Sequence, residues 1–155
     1  MTGTPNVNSL LTGYHLITLA ALAGIAIYDA KHHLILNSVL LPFFIWSFAS
    51  IPVRHMCDPC PYHQLLIPSI FGFFCGGSLM LAAALLTKDG MGGGDIKLTA
   101  ILGFIFGIEN TLELVTTAAI LAAICIIICK FRKAPTSTLP FGPFLFFGCL
   151  LQLFF

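Results

Sequence analysis

Two acidic residues stand inside or beside apolar runs where a carboxylate is costly. Asp29 ends one run in Ile27-Tyr28-Asp29-Ala30-Lys31, and Asp95 opens another in Gly92-Gly93-Gly94-Asp95-Ile96-Lys97. A charged side chain at the centre of a bilayer costs about 2.5–3.5 kcal/mol on insertion scales, so an acid at a span is by default a functional residue. The plain alternative is a pair of solvated aspartates capping helices at headgroup level, and Asp95 stands where an N-cap belongs. Taken together the two say more. Carboxylates about 4 Å apart at an effective dielectric near 20 repel by roughly 4 kcal/mol, equivalent to about three pKa units. Such a pair shares one proton near neutral pH. The ionised acid then takes a proton from water, while the protonated one polarises a scissile carbonyl and supports the leaving amine. This is aspartic protease chemistry, and it calls for no metal, cofactor or nucleophilic side chain.

The glycines before Asp95 have a mechanical role to match. Gly90, Gly92, Gly93 and Gly94 lack a Cβ, so the chain can adopt positive φ, turn sharply into a helix and admit an extended substrate backbone. A phosphate cradle is the competing reading of a glycine cluster. It fails because Gly90-Met91-Gly92-Gly93-Gly94-Asp95 does not lead into the Gly-Lys-Ser/Thr of a P-loop.

The elements that must carry these residues are helices in a membrane. Of 155 residues, 58% are apolar and 8% charged, and the mean hydropathy is +1.00. A soluble domain carries about 25% charge, which excludes an ordinary cytosolic protein. Lipid cannot satisfy backbone N–H and C=O groups, and a helix satisfies its own. The hydropathy pattern predicts an all-α polytopic protein with about six spans, near 9–29, 36–53, 64–87, 96–108, 110–130 and 139–155. The fourth is short, about 23 Å from Asp95 to Asn110 at 1.5 Å per residue, so it thins the bilayer or begins below the surface. These spans leave no room for a second globular domain, and a net charge of +1 gives no reason to expect nucleic acid as a partner. Ala21-Leu22-Ala23 has the look of a signal-peptide cleavage site. The missing basic n-region and the length of the apolar run argue against it.

Basic residues set the orientation. With the amino terminus outside, Lys31, Lys88, Lys97, Lys130, Arg132 and Lys133 fall on the cytoplasmic side and Arg54 alone falls outside, as the positive-inside bias requires. Asp29 and Asp95 then share the inner face. Asp58, Glu109 and Glu113 lie at the outer one.

With these residues in view, the sequence resembles the type IV prepilin peptidases, membrane aspartic proteases of the G-x-G-D class. Gly92-Gly93-Gly94-Asp95-Ile96-Lys97-Leu98 is similar to that family's G-x-G-D-x-K-L. Asp29 with Lys31, Ile35 and Asn37 is similar to its first catalytic aspartate and downstream Ile-Pro-Asn, and Pro140-Phe141-Gly142-Pro143 to the Pro-Phe-Gly-Pro that opens its last span. The resemblance implies that Asp29 and Asp95 are the catalytic pair, with Gly92, Gly94, Lys97, Lys31 and Asn37 in support. It implies a multi-pass protein of the cytoplasmic membrane whose partners are prepilin or pilin-like precursors, each with a short basic leader before a hydrophobic helix, cut at the cytoplasmic face. Two departures stand out. Leu36 replaces the usual proline, which loosens the approach to the second span. The larger members also carry an amino-terminal domain with two Cys-x-x-Cys pairs, associated with zinc and methyl transfer. The resemblance therefore implies the short form, with residues 1–155 as one peptidase domain, serving Flp-type or related pili.

Other residues have plainer readings. Lys31 and Lys97 either hold an aspartate ionised or snorkel to headgroups. Asn37 caps a helix or bonds near the site, and His32 and His33 are interfacial. In the outer loop, Cys57-Asp58-Pro59-Cys60 between His55 and His63 fits a disulfide, free thiols or a zinc site, with an oxidising exterior favouring the disulfide. Cys75, Cys125, Cys129 and Cys149 read as small apolar residues within spans, and Gly72, Gly76 and Gly77 as a face for close helix contact. Two rival functions use the same acids differently. A small proton- or cation-coupled transporter needs carboxylates near the midplane. A pilus assembly scaffold needs no acid chemistry. The topology itself is testable: with the six native cysteines replaced, single cysteines at Lys31 and Lys97 should react with an impermeant maleimide from the same side and one at Asp58 from the other.

Overall fold

The computed structural model describes residues 5–32, 34–86, 92–131 and 140–154. His33, Lys88, Gly90, Met91, Arg132, Lys133 and the first four residues lie outside them. The described chain is built from helices: α1 Pro5–His32, α2 Asn37–Ser47, α3 Ser50–Cys57, α4 Tyr62–Leu86, α5 Gly93–Phe106, α6 Ile108–Phe131 and α7 Gly142–Phe154. Among the described residues, Ser9–His32, Asn37–Cys57, Tyr62–Leu86 and Ile108–Phe131 are long and apolar enough to cross a bilayer, while α5 and α7 are shorter apolar helices. The protein is an all-α polytopic membrane protein.

The predicted second span proves to be two helices. Proline lacks an N–H and restricts its predecessor, and Pro42 sits inside α2 and Pro52 near the start of α3. Between them the chain tightens to three-residue turns, with Phe48 N donating to Ile45 O and Ala49 N to Trp46 O. The pair ends at Cys57, four residues beyond the expected 53. A cross-link near the break ties this unit to α1. Tyr14 stacks on Trp46 with centroids 5.2 Å apart, and Trp46 Nε1 donates to Thr18 Oγ1 at 3.1 Å.

Helix α5 is the axis of the bundle. Leu98 through Phe106 are all buried, so this helix meets protein on every side, and its 14 residues span about 21 Å. That resolves the expected short span, because a helix enclosed by protein need not match the bilayer thickness. Its partner α4 approaches backbone to backbone. A Cβ on Gly72 would strike the Gly103 carbonyl, one on Gly103 the Gly72 carbonyl, and one on Gly76 would lie 2.8 Å from the Thr99 carbonyl. Without water to drive association inside a membrane, such close van der Waals packing between small residues holds helices together. The other end of α5 stops at Gly107, whose φ of 81° favours glycine. Its carbonyls still need donors at that depth, and Arg54 Nη2 (2.9 Å) and Asn110 Nδ2 (3.1 Å) both donate to Phe106 O. The reversal leads directly into α6, with α7 packed between α6 and α1.

Gly103→Val inserts branched carbons where the α4 backbone lies. We expect a destabilisation on the order of 3 kcal/mol, read as a lower Tm in detergent. Gly13→Val, at a position with nothing within 4 Å of its Cβ, should leave the Tm within a few degrees.

Candidate functional site

Asp29 lies near the carboxyl end of α1, two and three residues before the exposed Lys31 and His32, yet it is only 4% exposed. What covers it is the start of α7. The Gly142 N–H donates to Asp29 Oδ2 at 3.0 Å, placing the carboxylate at the positive end of that helix. Phe141 is buried beside it, and its carbonyl receives the N–H groups of Phe144 and Leu145 to begin the helix. Gly142 is glycine for a steric reason, since a Cβ there would lie 2.8 Å from Asp29 Oδ2 and 3.2 Å from Asp29 Cβ.

Asp95 comes from the opposite side of the same end. It lies in the first turn of α5, is 8% exposed, and its N–H donates to Gly92 O at 3.0 Å. The expected N-cap role is not what the structure holds: Gly92 is the N-cap, and no side chain closes it. The carboxylate is therefore not consumed by capping. Its Oδ1 is buried with no protein hydrogen-bond partner. A hydroxyl one turn on steadies the backbone, with Thr99 Oγ1 donating to Asp95 O at 2.8 Å.

Gly92 and Gly94 work by close approach rather than by the positive φ expected of the run. Gly92 has φ −59°, and Gly107 is the positive-φ glycine among the described residues. A Cβ on Gly94 would sit 2.6 Å from Ile35 Cβ and 3.3 Å from Ile35 O, and one on Gly92 3.5 Å from Asp95 Oδ2. The start of α5 is thus pressed onto Ile35, in the non-helical stretch Leu34–Leu36 that leads into α2. Across this seam Lys97 Nζ donates to Asn37 Oδ1 at 3.0 Å. Asn37 opens α2 without capping it, because the N-cap is Leu36. Gly92, Gly94, Asn37 and Lys97 are accordingly gathered at one seam beside Asp95, while Lys31 is exposed at the end of α1.

The turn between α3 and α4 carries Cys57 and Cys60. Cys57 and Cys60 are not bridged, which departs from the favoured disulfide. The Cys60 N–H turns back to Asp58 O at 2.7 Å, and the Cys60 carbonyl lies 2.9 Å from His55 Nδ1, so hydrogen bonds close this turn. Among the described residues no group of three or more His, Cys, Asp or Glu is placed to hold a metal ion.

Similarity to known proteins bears on this arrangement. The model of the type IV leader peptidase family matches residues 16–127. The chain belongs to that family. It is 29% identical over 136 residues to the prepilin leader peptidase/N-methyltransferase of Pseudomonas aeruginosa, covering 86% of this chain and 46% of that protein. It is 27% identical over 137 residues to the protein of the same name from Bacillus subtilis, covering 87% of this chain and 52% of that protein. The chain thus spans about half the length of these curated relatives. No solved structure matches it. The leader peptidase match contains Asp29, the glycines and Asp95, and stops short of Gly142.

Gly142 is the site residue that sequence reasoning did not single out. Its place in Pro140-Phe141-Gly142-Pro143 was the available signal, since a glycine at a helix start between prolines marks a backbone that something must approach. Gly142→Ala should push Asp29 off the amide and destabilise the protein by about 1–3 kcal/mol, seen as a fall in Tm. Gly93→Ala, where a Cβ meets nothing within 4 Å, should produce no such fall.

Proposed function

We propose that this protein is a membrane-embedded aspartic endopeptidase that removes the short basic leader of prepilin or pilin-like precursors at the cytoplasmic face, with Asp29 and Asp95 as its catalytic pair. The observation that carries the reading is the burial of two carboxylates, one near the end of α1 and one at the start of α5, in a chain of the leader peptidase family. Peptidase is the part of the relatives' two-part name that these acids can perform.

The acids divide the work according to what each already holds. Asp29 accepts the Gly142 N–H, which fixes its carboxylate, and it serves as the base. Water between the two acids gives up a proton to Asp29 as its oxygen attacks the scissile carbonyl carbon. Asp95, protonated, donates from the carboxyl that has an oxygen without a protein partner to the carbonyl oxygen and stabilises the tetrahedral species. Collapse breaks the C–N bond, Asp29 passes its proton to the leaving amine, and Asp95 recovers its own. Neither acid is changed over the cycle.

Gly92 adds no side chain beside the Asp95 carboxylate, which suits the approach of an extended peptide segment. Lys97, bonded to Asn37, fixes the seam between α5 and α2 beside the acid. With the positive-inside bias, the site faces the cytoplasm, where a basic leader emerges from the membrane.

The test is co-expression with a pilin precursor and measurement of the mature product's mass. Asp29→Asn and Asp95→Asn keep the shape and remove the acid, and each should lower cleavage by a factor of about 10²–10⁴. Processing retained in either variant would reject the pair. pH-driven ion flux without cleavage would favour a transporter instead.

A further inference from the structure

Helices α1 and α2 are joined at one end and parted at the other. Near Trp46 they are held by its stacking on Tyr14 and its hydrogen bond to Thr18. Toward the acids they separate around an apolar cavity of about 540 Å³, lined on α1 by Ile17, Ala21, Gly24 and Tyr28 and on α2 by Val39 and Phe43 among others. The α1 residues are spaced 4, 3 and 4 apart, a single helical stripe about 16 Å long. Ala21 and Gly24 keep it shallow, and a Cβ on Gly24 would meet nothing within 4 Å.

Where this groove leads decides what it is for. Its closed end lies at the Trp46 cross-link, deep along α1. Its open end is lined by Tyr28, which precedes Asp29, and by Ile35, against which Gly94 packs immediately before Asp95. A substrate cut at these acids, whose apolar segment continues into the membrane from the scissile bond, must descend from this mouth. Small residues on the wall are what a close helix contact needs.

We propose that the α1–α2 groove is the docking site for the apolar helix that follows the scissile bond of the substrate. Resting on the peptidase reading above, this assigns substrate recognition to the wall of the groove and chemistry to its mouth. Roughly eleven residues of a substrate helix fit along the stripe at 1.5 Å each. The Tyr14–Trp46 cross-link sets how deep that helix packs.

Two measurements on the full chain in membranes test this. Gly24→Leu fills the groove and should raise KM for the intact precursor about tenfold, the equivalent of 1.4 kcal/mol, with kcat little changed. Ile120→Phe, on an exposed face of α6, should leave both constants as they are. A photoreactive benzoylphenylalanine in place of Val39, in the Asp95→Asn background, should cross-link to precursor residues just after the scissile bond. Wild-type cleavage with an unchanged KM in Gly24→Leu, or cross-links to lipid alone, would overturn the groove assignment and leave the peptidase reading standing. Failure of the wild type to cleave any precursor would overturn the peptidase reading, and the groove's occupant with it.

Discussion

A carboxylate withdrawn from water at the edge of a bilayer must be given hydrogen-bond donors by the protein or be held in place by packing that does not yield. The structure meets the first demand with the amide of Gly142 on Asp29. It meets the second by fixing Asp95 on α5, the most enclosed helix of the bundle. The rest of the architecture can be traced from this constraint. Helix α7 has to reach α1 at that end, α5 has to start at that level, and both have to come so close that glycine stands at the points of approach.

The depth of Asp95 is decided at the far end of α5 as much as near the acid. Because α5 is too short to cross the membrane, its last carbonyls finish among protein. Arg54 and Asn110 give them donors at Phe106, and Gly107 turns the chain back into α6. The glycines shared by α4 and α5 then fix the height of one helix against the other, since backbone contact leaves no side chain to readjust. Arg54, alone outside in the orientation drawn from charge, is therefore part of the framework that holds the acid at the opposite end.

The glycine run before Asp95 separates two uses of the same residue. Glycine permits a left-handed backbone, and it permits contact. Here contact is the use, with Gly94 against Ile35 and Gly92 against the Asp95 carboxylate. The consequence is a site whose walls are backbone and apolar side chains. The α1–α2 groove is lined at one end by Ile35, the residue against which Gly94 packs.

The sequence alone determined that the chain is helical and membrane-bound, because the apolar runs are long and charge is scarce. It marked Asp29 and Asp95 because an acid in such surroundings is costly. It also placed Gly72 and Gly76 on a contact face, and made the span after Asp95 short. Other features were decided by tertiary structure. The tie of the divided second span to α1 is made by Trp46, through its stacking on Tyr14 and its hydrogen bond to Thr18. Asn37 is committed to Lys97 and not to a cap by a partner 60 residues away. The amide that holds Asp29 belongs to a residue 113 positions further along the chain. Hydropathy and spacing report each residue's preference for its surroundings, whereas a hydrogen bond between distant segments depends on how the helices pack, which no local pattern encodes.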